Sequence, residues 1–259
     1  MRQKYGQNFL IDNNIANNIV KASNLNKHDK VLEIGPGRGI LTKIIQPQVK
    51  QLTLIEIDTN LYQQLKHYFF FHDVENVNVV NVDFLKYSIP DMKFKIISNL
   101  PYNIGTAIIQ KILPLQNWTT AIFMLQKEVV KRLSAENDRK NYGYMSIFTS
   151  YYADCTILFD VSPKCFRPSP KVVSSVIKLT NKFSLPPEPI FFDFVKHAFS
   201  MRRKTILNCI SSFKSIGKDR ALQIIDNLNL ESALRPDKMS TSDFLNLTNR
   251  MKKYTISHI

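Results

Sequence analysis

The segment Glu33-Ile34-Gly35-Pro36-Gly37-Arg38-Gly39 joins a predicted strand to a predicted helix through a glycine-rich turn. The apolar run Lys30–Ile34 comes before the turn, and the periodic stretch Gly39–Gln46 follows it. Glycine lets backbone N–H groups approach a ligand that a Cβ atom would keep away. A turn of this kind is typical of α/β domains that bind a nucleotide or a nucleoside.

Outward from this turn, short apolar runs alternate with longer amphipathic stretches, which predicts an α/β domain with a mainly parallel sheet. The predicted strands, rich in Val, Ile, Leu or Phe, are Lys30–Ile34, Gln51–Ile57, Val77–Val82, Phe94–Ser98 and Thr120–Leu125. The predicted helices between them are Gly39–Gln46, Thr59–Phe71 and Ile104–Leu113. Two further runs, Cys155–Val161 and Ser174–Leu179, predict an antiparallel pair that closes one edge of the sheet.

A proline-rich stretch, Lys182–Pro189, predicts a linker, since proline interrupts regular structure. Beyond it, apolar residues recur at helical spacing from Phe191 to Leu228. Ser240 with Asp243 predicts a capping arrangement before the helix Phe244–Met251. We therefore expect two domains, one over residues 1–183 and a small all-helical one over residues 190–259.

The charge of the chain indicates a polyanionic partner. Its 259 residues include 35 Lys and Arg and 21 Asp and Glu, for a formal net charge of +14. Residues 51–125 hold five basic and six acidic side chains, a net charge of −1, so the positive excess lies before and after them. Nucleic acid and anionic membrane surfaces are the partners that such a balance favours, although a generally basic proteome would also produce it.

The remaining composition predicts a cytoplasmic protein. Three widely spaced cysteines, Cys155, Cys165 and Cys209, suit a reducing compartment and argue against structural zinc. No apolar run approaches the roughly 20 residues that span a bilayer. No apolar segment follows the charged N-terminal residues either, so we expect neither a membrane span nor a secretory signal.

The spacing of the glycines separates two kinds of ligand. A dinucleotide-binding turn has the pattern G-x-G-x-x-G, but here the residue three after Gly37 is Ile40. This spacing disfavours a nicotinamide dehydrogenase.

Two acids follow neighbouring predicted strands. Glu56 lies 21 residues after Gly35 and could accept hydrogen bonds from ribose hydroxyls, or it could be a solvent-facing acid at a strand end. Asp58 shares its face by strand periodicity. Asp83 could accept the amino group of adenine, with Phe84 packing on the base, or it could cap a turn.

The tetrapeptide Asn99-Leu100-Pro101-Tyr102, directly after the fourth predicted strand, indicates the reaction. The exocyclic N6 of adenine is a poor nucleophile because its lone pair is delocalised into the ring. The Asn99 side-chain oxygen and a backbone carbonyl fixed by Pro101 could accept its N–H groups and turn the lone pair toward a sulfonium methyl. Tyr102 offers a flat face for an extruded base. Such a transfer requires neither a metal nor a strong general base.

These motifs resemble those of the small-subunit ribosomal RNA adenine N6,N6-dimethyltransferases along the whole chain. Further matching segments are Gly6–Leu10, Met124–Val129, Phe166–Val172 and Phe199–Thr205. The resemblance implies a Rossmann-like class I methyltransferase domain followed by a helical RNA-binding domain. It also implies dimethylation of two adjacent adenosines near the 3′ end of 16S RNA by S-adenosylmethionine, in late assembly of the 30S subunit. The expected partner is pre-30S RNA, and a monomer is the simplest expectation.

Matching the motifs position by position also implies roles for single residues. The residues expected to contact the methyl donor are Asn8, Leu10, Gly35, Glu56, Asp83 and Asn99. The residues Asn99, Leu100, Pro101 and Tyr102 would hold the target adenine, and Phe166 would stack on it opposite Tyr102. From the residues alone, Phe166 could equally serve loop packing.

The chain departs from the family pattern at two positions. Val173 stands where the family usually has an acid, and Tyr144 stands where an arginine is common. Neither belongs to the donor motifs. The basic run Arg202-Arg203-Lys204 is either a solvated helix face or, given an RNA substrate, a phosphate contact.

Two alternatives to this function stay open at the level of sequence. Enzymes that methylate large-subunit RNA and confer macrolide resistance share the N-terminal motif and a similar tetrapeptide, but typically lack the Gly35-Pro36-Gly37 form and the Arg202–Thr205 segment. A non-catalytic assembly or nucleic-acid-binding factor could keep the fold, although the intact Asn99, Pro101 and Tyr102 argue against it.

Overall fold

The structure of the chain, a computed structural model, describes residues 7–255, and its strands form a seven-stranded and a two-stranded sheet. In chain order the strands are β1 Phe9–Leu10, β2 Lys30–Ile34, β3 Gln51–Glu56, β4 Val77–Asn81, β5 Phe94–Asn99, β6 Trp118–Gln126, β7 Ala153–Val161, β8 Phe166–Arg167 and β9 Ser174–Asn181. The large sheet has the order β4-β3-β2-β5-β6-β9-β7, and β1 pairs with β8 in the small one.

The five strands from β2 to β6 are parallel, which confirms the predicted sheet. β9 runs antiparallel to both β6 and β7, so the predicted closing pair lies at the sheet edge. The strand order reverses between β2 and β5, because the chain goes outward from β2 to β4 before it returns to β5. Ligands of open α/β sheets bind at such a reversal, beyond the carboxyl ends of the strands.

Ten α-helices accompany these strands in the described part of the chain. They are α1 Asn13–Ala22, α2 Thr42–Ile45, α3 Thr59–Phe71, α4 Gly105–Ile112, α5 Lys127–Leu133, α6 Tyr144–Tyr152, α7 Pro189–Ser200, α8 Ile206–Ser212, α9 Lys218–Asn227 and α10 Thr241–Thr255. α3 has the predicted bounds because Asp58 caps it, accepting from the backbone N–H groups of Asn60 and Leu61. The helix predicted after the glycine turn is shorter, since positive φ angles at Gly37 and Gly39 delay its start.

Contacts divide the chain into two compact units. The first comprises the chain up to Val130 together with Ala153–Ser184, and its buried residues include Ile19, Leu52, Leu54 and Val176. No helix among residues 7–255 is long and apolar enough to cross a membrane.

The second unit is helical, and it is not continuous in sequence. It comprises Lys131–Tyr152 and the chain from Leu185 onward. The predicted first domain, residues 1–183, was continuous and so differs from this division. The reason is packing: Ile147 is fully buried in the helical core, and the Tyr142 hydroxyl donates to the Met239 carbonyl at 2.7 Å.

Two details of the helical unit bear on the sequence analysis. The Ser240 backbone N–H donates to the Asp243 carboxylate at 2.8 Å, and the Asp243 N–H donates to Ser240 Oγ at 3.1 Å, which confirms the predicted capping box. Tyr144, one of the departures from the family pattern, packs edge to face against Phe192. An aromatic contact therefore occupies the position where the family commonly has an arginine.

Candidate active site

A cleft opens at the carboxyl ends of β2, β3 and β5, where the strand order reverses. Four chain segments and three single residues line it: Gln7–Leu10, Gly35–Arg38 with Ile40 and Leu41, Glu56–Ile57, and Asn99–Ile104, together with Glu33, Asp83 and Leu85. Every donor-contact residue predicted from the sequence lies among them. The glycine turn, the two acids and the reactive tetrapeptide thus share one cavity within the first unit.

The glycine turn packs directly under the N-terminal segment. Gly37 has a φ of +58°, and a Cβ built there would lie 3.1 Å from the Phe9 ring. A side chain at this position would meet both backbone strain and the ring. Gly35 has a φ of +64°, and its Cβ would project toward Pro101 at 3.8 Å, into the gap between the turn and the tetrapeptide. Gly35 thus leaves this gap open, and Gly37 allows the turn to pack against Phe9.

Glu56 ends β3 and turns its carboxylate into the cleft. Its Oε2 accepts from the Gly37 N–H at 3.1 Å, and its Oε1 accepts from the Asp58 N–H at 2.9 Å. Burial raises the pKa of Glu56, and these backbone hydrogen bonds oppose the rise. Each carboxylate oxygen keeps a further lone pair for a ligand hydroxyl. Asp58 caps α3 instead of joining Glu56 at the ligand.

The turn after β4 presents Asp83 and Leu85 to the cleft. Asp83 accepts from the Leu85 N–H at 2.9 Å, so it caps the turn as well as lining the cleft. Phe84 does not pack where a base would lie, because its ring is buried in the protein at 3% exposure. Leu85, which is 38% exposed, is the apolar neighbour of Asp83 in the cleft.

Lys111 holds this turn from outside the cleft. Its ammonium donates to the carbonyls of Phe84, Leu85 and Tyr87 at 2.9, 2.8 and 2.7 Å, and it lies 5.2 Å from the centre of the Phe84 ring. Three carbonyls satisfy the three N–H donors of a lysine. Lys111 could not be predicted from the sequence, because a lone lysine on α4 carries no local signal of such a contact.

The tetrapeptide leaves the end of β5 and lines the cleft with all four residues. The Asn99 side-chain N–H donates to the Asn8 carbonyl at 3.4 Å, which leaves the Asn99 amide oxygen to accept from a ligand. The Leu100 N–H donates to the Met124 carbonyl at 3.1 Å, so the backbone before Pro101 is anchored to β6.

Tyr102 is fixed at its hydroxyl end. Its hydroxyl lies 2.6 Å from the hydroxyl of Ser174, which is fully buried at the start of β9. Burial raises the pKa of Tyr102, with the Ser174 hydrogen bond opposing the rise. The phenol is therefore neutral near pH 7, and its ring has one held orientation.

Phe166 does not face the cleft. Its ring is 2% exposed and belongs to the hydrophobic core of the first unit, where Leu10 pairs with it across the β1–β8 ladder. The predicted stacking on an adenine opposite Tyr102 differs from this placement, since alternation along β8 turns Phe166 inward and Arg167 outward. The core-packing interpretation accounts for the observed geometry.

Glu33 is a cleft residue that the sequence analysis treated only as part of the glycine motif. It is 1% exposed, and its Oε2 accepts from the Thr42 hydroxyl at 2.7 Å. Burial raises the pKa of Glu33 to about 8; the Thr42 hydrogen bond opposes this rise, and the nearby Glu56 charge adds to it. An acid within an apolar strand, two residues before the first glycine of the turn, was the sequence signal that could have identified it.

The basic run Arg202–Lys204 lies in the helical unit. The Arg202 guanidinium donates to the Lys140 carbonyl at 3.2 Å and lies 3.9 Å from the Asp237 carboxylate. Arg203 and Lys204 are exposed. Within the described residues, no group of three or more His, Cys, Asp or Glu side chains could hold a metal ion.

A family model described as ribosomal RNA adenine dimethylase matches residues 1–253. The chain belongs to this family. Curated relatives named ribosomal RNA small subunit methyltransferase A include one from Mycoplasma mycoides, 35% identical over 260 residues, and one from Francisella tularensis subsp. novicida, 36% identical over 264 residues. The alignment covers 96% of this chain and 96% of the relative in both cases.

Solved structures match over the same length. A dimethyladenosine transferase from Plasmodium falciparum superposes with a TM-score of 0.87 and 25% identity, covering 95% of this chain and 98% of that one. A 23S rRNA methyltransferase, ErmE, shares the fold with a TM-score of 0.74 and 24% identity, covering 95% and 100% of the two chains. The class I methyltransferase fold with a helical C-terminal part is thereby confirmed.

The family establishes the activity in its general form: this protein is an S-adenosylmethionine-dependent ribosomal RNA adenine dimethyltransferase. The cleft fits the donor on its own chemistry. The Glu56 carboxylate lies in the cleft at a strand end, the Asp83 carboxylate lies beside the apolar Leu85, and Gly35 leaves room beside Pro101.

Proposed function

We propose that the protein dimethylates N6 of two adjacent adenosines near the 3′ end of small-subunit ribosomal RNA, as a late step of 30S assembly. The observation that carries the proposal is the Asn99–Tyr102 tetrapeptide in one cleft with Gly35 and Glu56. The small-subunit preference is supported by relatives that bear that name at 35% and 36% identity over 96% of the chain.

On this proposal, residues of four segments hold the methyl donor. Glu56 accepts hydrogen bonds from the ribose hydroxyls, Asp83 accepts from the adenine amino group, and Gly35 lets the donor approach the backbone. Asn8 and Leu10 cover the donor from the N-terminal side. The bound donor supplies an electrophilic methyl group on a sulfonium.

The tetrapeptide holds the acceptor. The Asn99 amide oxygen and the Leu100 carbonyl accept hydrogen bonds from the N6 amino group of the target adenine. This pairing draws the amino group out of conjugation and directs its lone pair into the cleft. Pro101 restricts the backbone that carries this carbonyl. Alignment of reacting atoms about 3–3.5 Å apart provides the acceleration.

The Tyr102 ring provides the stacking face for the extruded base. Its hydroxyl is bound to Ser174, so the ring needs no reorganisation when the base arrives. Phe166 would stack on the other face of the adenine only after its ring left the core, so we assign it to the support of β1 instead. The opposite face of the base would then be left to other groups.

The helical unit supplies RNA affinity on this proposal. Arg203 and Lys204 are exposed cations there and are suited to phosphate contacts. We expect a cytoplasmic monomer that acts on pre-30S particles without a metal ion.

The proposal is tested by supplying labelled donor to isolated small and large subunits that lack the modification. Methylation confined to small subunits, with mass spectrometry locating two dimethyladenosines near the 3′ end of the RNA, is the expected result. Methylation of large subunits alone would favour the macrolide-resistance activity.

A purely architectural role is tested with Asn99→Ala. We expect kcat to fall about 100- to 1,000-fold, the size of effect seen when one aligned hydrogen-bonding group of an active site is removed. Binding to pre-30S particles should persist. Asn60→Ala, at an exposed asparagine of α3, is the matched control. Full activity of Asn99→Ala would contradict the assignment of the tetrapeptide.

A further inference from the structure

The two-stranded sheet places an arginine directly opposite Phe9, a residue that lines the cleft. Phe9 and Arg167 are direct partners in the antiparallel β1–β8 ladder. Directly opposed residues of such a ladder project their side chains to the same face, with Cα atoms about 4.5–5.5 Å apart. Leu10 and Phe166 form the neighbouring pair and are buried. The Arg167 side chain therefore projects with Phe9, away from the core.

A second arginine reaches the same ring from the glycine turn. The Arg38 guanidinium carbon lies 4.7 Å from the centre of the Phe9 ring, and Arg38 lines the cleft. A guanidinium stacked on an aromatic ring keeps its N–H donors at the edge, free for an anion. Phe9 thus connects two arginines that are 129 residues apart in sequence: the Arg38 guanidinium lies over its ring, and Arg167 is its partner in the ladder.

Among the residues that the structure describes, no acid forms an ion pair with either arginine. Both side chains are exposed. Asp12, the acid that precedes α1, directs its carboxylate to other groups: its Oδ1 accepts from the backbone N–H groups of Asn14 and Ile15, and its Oδ2 accepts from the Cys165 thiol at 3.6 Å. Two unneutralised guanidinium groups on one face are a site for an anion.

We propose that Arg38 and Arg167 form a phosphate-binding pair that grips the RNA backbone next to the extruded adenosine. Guanidinium groups bind phosphate through paired N–H donors, which fixes position without reading sequence. The inference rests on the RNA substrate of the proposed function and assigns a contact that the donor and tetrapeptide residues do not provide. An enzyme that extrudes a base must hold the strand while the base leaves the stack.

The experiment measures RNA affinity at several salt concentrations for Arg38→Ala, Arg167→Ala and the double variant, using unmethylated small subunits. Each lost phosphate contact should weaken binding severalfold and lower the slope of log K against log salt by about one, and the double variant should lower it by about two. Arg38→Lys and Arg167→Lys keep the charge and should keep most of the slope. Lys50→Ala removes an exposed cation next to the amino end of β3, at the opposite end of the sheet, and should leave the slope unchanged.

Donor binding, measured by calorimetry with S-adenosylmethionine, separates the two anions that an arginine here could meet. Unchanged donor affinity with a reduced salt slope supports the phosphate pair. Weakened donor binding in Arg38→Ala with an unchanged slope would assign Arg38 to the donor carboxylate and overturn the proposal. Parental slopes in all variants would also overturn it, while methylation of small subunits by the parent protein would leave the proposed function intact.

Discussion

The Tyr102 hydroxyl lies 2.6 Å from the Ser174 hydroxyl, and this hydrogen bond joins the reactive tetrapeptide to the first residue of β9. Ser174 also pairs with Gln126 in the β6–β9 ladder, so its position is set by the large sheet. The orientation of the Tyr102 ring is therefore coupled to the antiparallel edge of the sheet rather than only to its own turn.

Removing either hydroxyl should lower the free energy of unfolding slightly, because each removal breaks the same hydrogen bond. We expect Tyr102→Phe and Ser174→Ala each to destabilise the protein by about 1 kcal/mol, the net value of a typical hydrogen bond. Because both changes break the same bond, the double variant should cost less than the sum of the single ones. Urea unfolding measures these energies. Strict additivity would show that the two hydroxyls do not interact.

The Tyr102 ring should matter much more than its hydroxyl for catalysis. Tyr102→Phe keeps the stacking face, so its kcat should stay within a few-fold of the parent value. Tyr102→Ala removes stacking worth about 1–3 kcal/mol per base, and kcat/KM for RNA should fall roughly 5- to 150-fold. Steady-state methylation of small subunits checks this, and equal activity of the Phe and Ala variants would refute it.

Phe166 offers a choice between packing and stacking. If Phe166 is a core residue, Phe166→Ala should lower the free energy of unfolding of the protein by about 3–5 kcal/mol. Phe166→Leu keeps most of the apolar volume and should retain both most of the stability and most of kcat. Thermal unfolding and methylation assays on the same preparations separate the roles. A large loss of kcat in a stable Phe166→Leu protein would mean that the ring leaves the core to contact the base.

Lys111 should tune donor affinity without touching the donor. Its three hydrogen bonds fix the turn that carries Asp83 and Leu85. We expect Lys111→Met to raise the donor KM about tenfold while kcat at saturating donor and RNA affinity change little. Lys111→Arg should restore part of the donor affinity. The control Lys66→Met changes an exposed lysine of α3 and should leave the donor KM as it was. A fall in kcat alone would contradict this role.

Stability should fall with rising pH because of Glu33. Its pKa is about 8 in the folded protein, whereas the ordinary pKa of a glutamate is 4.5, so the folded state holds a proton that the unfolded state has lost between these values. The stabilising contribution is complete below about pH 4.5 and is lost as pH rises through about 8.

Glu33→Gln removes this titration while retaining hydrogen bonding to Thr42. The melting temperature of the variant minus that of the parent should increase from pH 5 to pH 8. Parallel pH profiles for the two proteins would contradict the burial of a titrating carboxyl at this position.

The basic run of the helical unit should contribute to RNA binding through charge alone. Arg203→Ala with Lys204→Ala should weaken binding to small subunits and flatten its salt dependence, while donor affinity stays unchanged. Arg202 is less suited to this test because it bonds the Lys140 carbonyl. Equal salt slopes for the variant and the parent would refute the contact.

The parallel strands could be predicted because they are covered on both faces and form apolar runs, as in Lys30–Ile34 and Phe94–Ser98. The sequence could not predict β1 and β8. Strands of two residues show no periodicity, and their pairing joins segments more than 150 residues apart. The inward placement of Phe166 and the outward placement of Arg167 follow from that pairing, so the sequence could not predict them either.

The part of the site that could be predicted consists of residues that form short, continuous sequence motifs. The glycine turn, Glu56 and Asn99–Tyr102 are short motifs at strand ends, and parallel topology brings strand ends together. Lys111 and Ser174 act through contacts made only after folding, so their roles have no sequence signature. No element was predicted over Tyr144–Tyr152, and the burial of Ile147 in the helical core depends on packing between segments that are distant in sequence.

The chain passes between its two compact units three times, after Val130, Tyr152 and Ser184. Deleting the chain from Leu185 onward would therefore remove the residues that Tyr142 and Ile147 pack with in the helical core. Because the helical unit consists of two separate segments, it cannot be transferred to another methyltransferase as one continuous piece of chain. The helical unit and the catalytic sheet are therefore inherited together.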